Sequence, residues 1–271
     1  MHLALTLPLV AFLATLPAGA QDASPSPGEP PVPPVRARAK PQPLPGGGHH
    51  TVVGFTLRNT LSAQLERSIG VEFGGTATGL PRQPRAGASF APASRGAMAV
   101  HLGGGESGFD GGLLLDFGHG ARWPAKGHGV VVRGGARFRI EGNDQYYLSA
   151  IHVPTVDAGY QYVGSDEIVE LSLRGSVLWD GRLRVDAGPT KNLPIAPGVG
   201  ALFEAGTRHL WWSSQFLRAG GVSELGIDLC SQVSLWSLCV RGAHAAEGPW
   251  LGEPKHRVFV GALGLGWGTP R

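Results

Sequence analysis

Residues 128–141 read HGVVVRGGARFRIE. Even positions carry Val130, Val132, Ala136, Phe138 and Ile140, while odd positions carry Arg133, Arg137, Arg139 and Glu141. Successive side chains leave a pleated strand on opposite sides, so a period of two marks a β-strand with one apolar and one polar face. Parity alone does not say which face is wet. Three arginines on one short face favour a water-filled interior with acids nearby over a redundant soluble surface.

The same split continues on both sides of this stretch. From 51 to 74, Val53, Phe55, Leu57, Leu61, Leu65, Ile69, Val71 and Phe73 oppose Thr56, Arg58, Thr60, Glu66, Ser68 and Glu72. This segment is read as one long strand, although Leu61, Leu65 and Ile69 also sit four apart, as on a helix. Further strands are expected at 95–104, 109–118 and 145–163, the last interrupted near Pro154, where a strand must bulge or end. In 167–179, Glu170 and Arg174 oppose Val169, Leu171 and Leu173. Asp180-Gly181 is a hairpin signal, and 182–188 then sets Arg182, Arg184 and Asp186 against Leu183 and Val185. Strands at 198–206, 209–219, 222–231, 233–243 and 257–267 complete the set. The expectation is an all-β, antiparallel transmembrane β-barrel of about twelve strands, with ten or fourteen as alternatives. Long connections at 75–93, 119–127, 189–197 and 244–256 alternate with tight ones at 106–108, 142–144 and 180–181. Outer-membrane barrels show this alternation of long external loops and short periplasmic turns.

Composition agrees. Hydrophobic residues make up 42% of the 271, and charged residues only 16%, well under the roughly 25% usual in soluble chains. A formal charge of +3 with no basic stripe among aromatics argues against nucleic acid as a partner. The N-terminus has an apolar core from Leu3 to Leu16 followed by Ala18-Gly19-Ala20, so residues 1–20 read as a signal peptide. Residues 21–50 are proline-rich and read as a periplasmic leader. It is either a disordered spacer or a tether whose Arg36, Arg38 and Lys40 meet a periplasmic or envelope-complex partner. The barrel is then 51–271, in contact with outer-membrane lipid. Aromatics near strand ends, Trp123, Trp179, Trp211, Trp212 and Trp267 with Tyr146, Tyr147, Tyr160 and Tyr162, read as girdles at headgroup level. The polar faces assign Arg133, Arg137, Arg139, Glu141, Glu170, Arg174, Arg182, Arg184, Asp186 and Arg241 to the lumen.

Cys230 and Cys239 fall on the polar faces of neighbouring strands. A turn centred near Ser234-Leu235 sets them opposite one another, and export to an oxidising compartment favours a disulfide; unpaired buried thiols are the alternative. No histidine is placed to join them around a metal. Among His119, His152, His209, His244 and His256 no base–nucleophile pattern is legible, and no glycine-rich phosphate loop precedes a helix, so neither an enzyme nor a cofactor is expected.

The final strand, RVFVGALGLGW (257–267), sets Phe259, Leu263, Leu265 and Trp267 on one face with an aromatic at its end. It resembles the C-terminal signature strand of Gram-negative outer-membrane barrels, which implies the outer membrane as address and the barrel-assembly machinery as a partner. Such strands usually end on the aromatic, whereas Gly268-Thr269-Pro270-Arg271 follow here. The Ala-, Gly- and Pro-rich style is similar to small envelope barrels of myxobacteria, a group that includes gliding-motility and polysaccharide-export components as well as simple pores. Two functions follow from the lumen charges: a porin-like passive pore for small polar, including anionic, solutes, or a non-conducting scaffold of an envelope-spanning complex.

Overall fold

The computed structural model describes residues 48–62, 64–79, 89–106, 108–125, 127–164, 167–185, 195–207, 209–248 and 256–267. The expected signal peptide, most of the leader, and Asp186 lie outside these. Twelve strands follow in order: β1 (Gly48–Leu61), β2 (Leu65–Gly79), β3 (Ala91–Gly105), β4 (Gly108–Trp123), β5 (Gly127–Gly142), β6 (Tyr146–Val163), β7 (Glu167–Val185), β8 (Ala196–Thr207), β9 (Leu210–Ala219), β10 (Val222–Val233), β11 (Trp236–Glu247) and β12 (His256–Trp267). Each pairs antiparallel with its sequence neighbours, and β1 pairs with β12 from Val53↔Trp267 to Leu61↔Phe259, closing the barrel. Closure leaves no unpaired sheet edge, the condition for strands to sit in hydrocarbon.

We call the rim where β1 begins and β12 ends the terminal rim, and the opposite one the distal rim. Along β5, Val130, Val132 and Ile140 are exposed on the outside while Arg133, Arg137 and Arg139 are buried inside. The outer wall elsewhere is a belt of exposed Leu, Ile, Val and Phe, among them Phe55, Ile69, Leu171, Leu173, Ile227 and Leu263. This is the reverse of a soluble barrel, with grease out and charge in.

The count of twelve agrees with expectation, but two assignments behind it are corrected. The stretch 51–74 is two strands, β1 and β2, with only residues 62–64 between them and Leu61 opposite Leu65. A three-residue connection keeps odd positions outward on both strands, so the alternation runs through it unbroken. Conversely, Asp180-Gly181 is no hairpin. In β7 the pairing steps from His152↔Leu178 to Ile151↔Asp180, leaving Trp179 as an extra residue. Such a bulge reverses the parity beyond it. A second irregularity in β6, at Val153-Pro154, does the same there.

The connections also differ from expectation. The 119–127 loop is only 124–126, because β4 runs to Trp123. Of the long connections, 80–90 leaves the terminal rim while 186–195 and 248–255 leave the distal rim, so length does not segregate by side. Between β9 and β10 the two-residue turn Gly220-Gly221 has positive φ at both positions (57° and 95°), which glycine adopts without a Cβ clash.

Candidate functional site: the lumen

Climbing β5 toward the distal rim gives the order of the interior. Arg133 donates to Glu170 and lies 3.9 Å from Asp157. Asp116 on β4 receives three arginines, Arg95 at 2.9 Å, Arg137 at 3.2 Å and Arg174 at 2.8 Å. Arg174 also binds Asp157 at 2.6 Å, and Arg95 reaches Glu204 at 2.7 Å. Higher up, Glu224 takes Arg137 (3.1 Å) and Arg139 (2.9 Å), with His152 at 3.6 Å. Arg139 also binds Glu141 at 2.5 Å, which meets Arg58 at 3.3 Å. Arg58 then donates to the Tyr146 hydroxyl at 2.5 Å and lies 3.4 Å from Asp110.

Several of these bonds cross the barrel. Arg95–Glu204 joins β3 to β8, Arg137–Glu224 joins β5 to β10, and Arg58–Tyr146 joins β1 to β6, each five strands apart round the ring. Nearly all these groups are buried. A charge so desolvated is tolerable only when paired and hydrogen-bonded, and here single carboxylates serve two or three arginines.

Toward the distal rim the interior turns apolar. Tyr146, Leu148 and Leu183 from the long strands β6 and β7 pack on Val222, Ala245 and Val258 from β10–β12. The bulge at Trp179 makes this cluster, because it turns Leu183 inward. It also overturns the lumen assignment of Arg182 and Arg184, which lie outward, Arg182 paired with Asp180 at 3.0 Å. Sequence parity missed the cluster for that reason. A cavity of about 160 Å³ remains, bordered by Gly75, Ala97, Ala99, Gly226, Ala262 and Arg241, which pairs with Glu72 and, at 3.0 Å, with Asp228.

Of the residues expected inside, Arg133, Arg137, Arg139, Glu141, Glu170 and Arg174 face the lumen in one network, and Arg241 also faces the lumen, in a group of its own with Glu72 and Asp228. Arg58, Arg95, Asp110, Asp116, Asp157, Glu204 and Glu224 also belong to the network; the even-face pattern of β1 carried Arg58, but nothing local marked Asp116 as the hub. In the girdle, Trp123, Trp212 and Trp267 are exposed near the terminal rim, where Trp236, not anticipated, sits 5.1 Å from Trp267. Trp179 is exposed nearer the distal rim. Trp211 is a correction: it is 3% exposed and packs inside with Val163 and Ile168, since only one of two adjacent residues can face lipid. Tyr146 is likewise internal.

Cys230 and Cys239 form the disulfide, directly opposite in β10 and β11 with Cα atoms 4.1 Å apart, and the turn is Ser234-Leu235. On the outer wall, Ser94 Oγ lies 2.8 Å from His119 Nδ1. Among the described residues no carboxylate orients that imidazole, and no group of three or more His, Cys, Asp or Glu is arranged to hold a metal.

A closed antiparallel barrel with an apolar outer belt, aromatic residues near its rims and a charged interior is an outer-membrane-type β-barrel. No protein-family model matches the chain, and no curated protein matches it. Among solved structures it is similar to the translocator domain of the autotransporter NalP from Neisseria meningitidis. Identity is 12% and the TM-score 0.32, over 82% of this chain and 89% of that one. It is also similar to the beta domain of the Bordetella autotransporter BrkA, at 14% identity and a TM-score of 0.30, over 80% of this chain and 98% of that one. The fold is fixed by the closed register, not by these likenesses.

Proposed function

We propose that the protein is an outer-membrane resident acting as a closed anchoring barrel, its wall in lipid and its leader, shortened to 21–47 because β1 begins at Gly48, engaging a periplasmic or envelope-complex partner. The observation that carries this reading is the set of bonds joining opposite walls, stacked beneath the apolar Tyr146–Leu183–Val258 cluster. Opening a path for solutes would strand buried charges, and breaking one such pair costs about 3–5 kcal/mol. Arg133, Arg137 and Arg139 are each bonded to carboxylates, which removes the reason to expect an anion-attracting face. Single-channel recording on the purified protein in a planar bilayer tests it: no conductance is expected, and steady unitary conductance would overturn it. The second reading, a passive pore for small polar solutes, draws on the cavity beside Arg241, and such conductance would restore it.

A further inference from the structure

Charge on the outer wall is distributed unevenly. Among the described residues, the outward faces of the strands carry Arg67, Arg182, Arg184, Arg218 and Arg257 toward the distal rim, against one acid, Asp180. Toward the terminal rim the outward charge on the strands is Glu167, which accepts a hydrogen bond from Tyr162. The arginines differ in how they are held. Arg182 is paired with Asp180, Arg218 binds Ser223 and the Gly248 carbonyl, and Arg184 is also engaged. Arg67 and Arg257 are exposed and make no hydrogen bond or ion pair among the described residues, Arg257 lying near the His244 imidazole.

These two flank β1. Arg67 stands on β2 opposite Asn59, and Arg257 on β12 two residues beyond Phe259, itself opposite Leu61. Two strand spacings put about 10 Å between their strands, and the register sets Arg257 four residues nearer the rim, about 13 Å along the strand direction, so Arg67 must reach rimward to share a headgroup with it. Around and below them the wall is apolar and exposed: Leu61, Leu65, Ile69 and Phe259. An arginine at such a boundary lays its aliphatic stem on the apolar wall and lifts its guanidinium to headgroup level. The planar fork there matches the oxygens of a phosphate.

We propose that Arg67 and Arg257, on either side of β1 at the distal rim, form a clamp for the phosphate headgroup of a membrane lipid. A lipid fits better than a soluble anion because the floor between the two arginines is the lipid-facing belt, and an acyl chain continues down it where a free ion would leave that surface bare. The proposal rests on membrane residence but not on whether the lumen conducts.

The test uses the full chain with Leu61→Cys carrying a bimane label, reconstituted in phosphatidylcholine vesicles. Phosphatidic acid or phosphatidylcholine with brominated acyl chains is added as quencher. Brominated phosphatidic acid should be preferred about fivefold for each arginine at low salt, less as salt rises. Arg67→Gln/Arg257→Gln should bring the preference to near unity, and Arg67→Lys/Arg257→Lys should retain much of it. An unchanged preference in the Gln variant overturns the clamp. Millimolar inorganic phosphate that abolishes the preference would mean a free-anion site and would also overturn it. Failure of every brominated lipid to quench would instead show that the wall does not meet lipid, a failure of the membrane reading itself.

Discussion

Asp116 shows how unevenly the interior is held. Its carboxylate has three arginines within 3.2 Å and is wholly buried. Asp116→Asn keeps the shape and removes the charge, leaving Arg95, Arg137 and Arg174 to share Glu204, Glu224 and Asp157. Stability should fall by about 3–5 kcal/mol, measured as a lower urea midpoint for the barrel refolded in vesicles. No comparable loss should follow Glu167→Gln at the exposed terminal rim. Parity put Arg133, Arg137 and Arg139 on one face, and three arginines on so short a face made it the inner one. Their partners were not legible, because Glu224 reaches them from β10 across the lumen, and alternation carries no information about what lies five strands away.

At the level of the strand, the β10–β11 hairpin is the best-read element. A two-residue turn, opposite faces and two cysteines at matching parity fixed the register. Replacing both cysteines by serine removes a cross-link that closes a loop with a sequence separation of 9, worth about 2–3 kcal/mol by loop entropy. The denaturant midpoint should drop accordingly, and in wild type a thiol reagent should find no free cysteine in denatured, non-reduced protein. Legibility failed at two places, a connection that keeps the period of two and a bulge that breaks it. The 62–64 connection preserves parity and so hides, whereas the bulge at Trp179 reverses parity while Asp180-Gly181 imitates a turn. One error split β7 and the other fused β1 with β2, and the two cancelled in the count. Strand number was therefore right while Arg182, Arg184 and Leu183 were placed on the wrong faces.

For the whole molecule, a closed barrel with an interior so thoroughly bridged should resist detergent. The unboiled protein is expected to run as a compact, faster band in dodecyl sulfate gels and to shift on boiling, after fractionating with outer membrane and surviving carbonate extraction. Recovery as a soluble periplasmic protein would contradict the outward belt. The register has a further consequence, in time rather than in space. Eleven of the twelve strand pairings join neighbours in sequence, and only the seam between β1 and β12 is non-local. As the barrel assembles each hairpin can form between neighbours, but β1 has nothing on its free side until β12 arrives. Up to then the chain is an open sheet with two raw edges, the form most prone to pairing with a stranger. Completion depends on β12, and a chain cut short before His256 is a sheet that cannot shut.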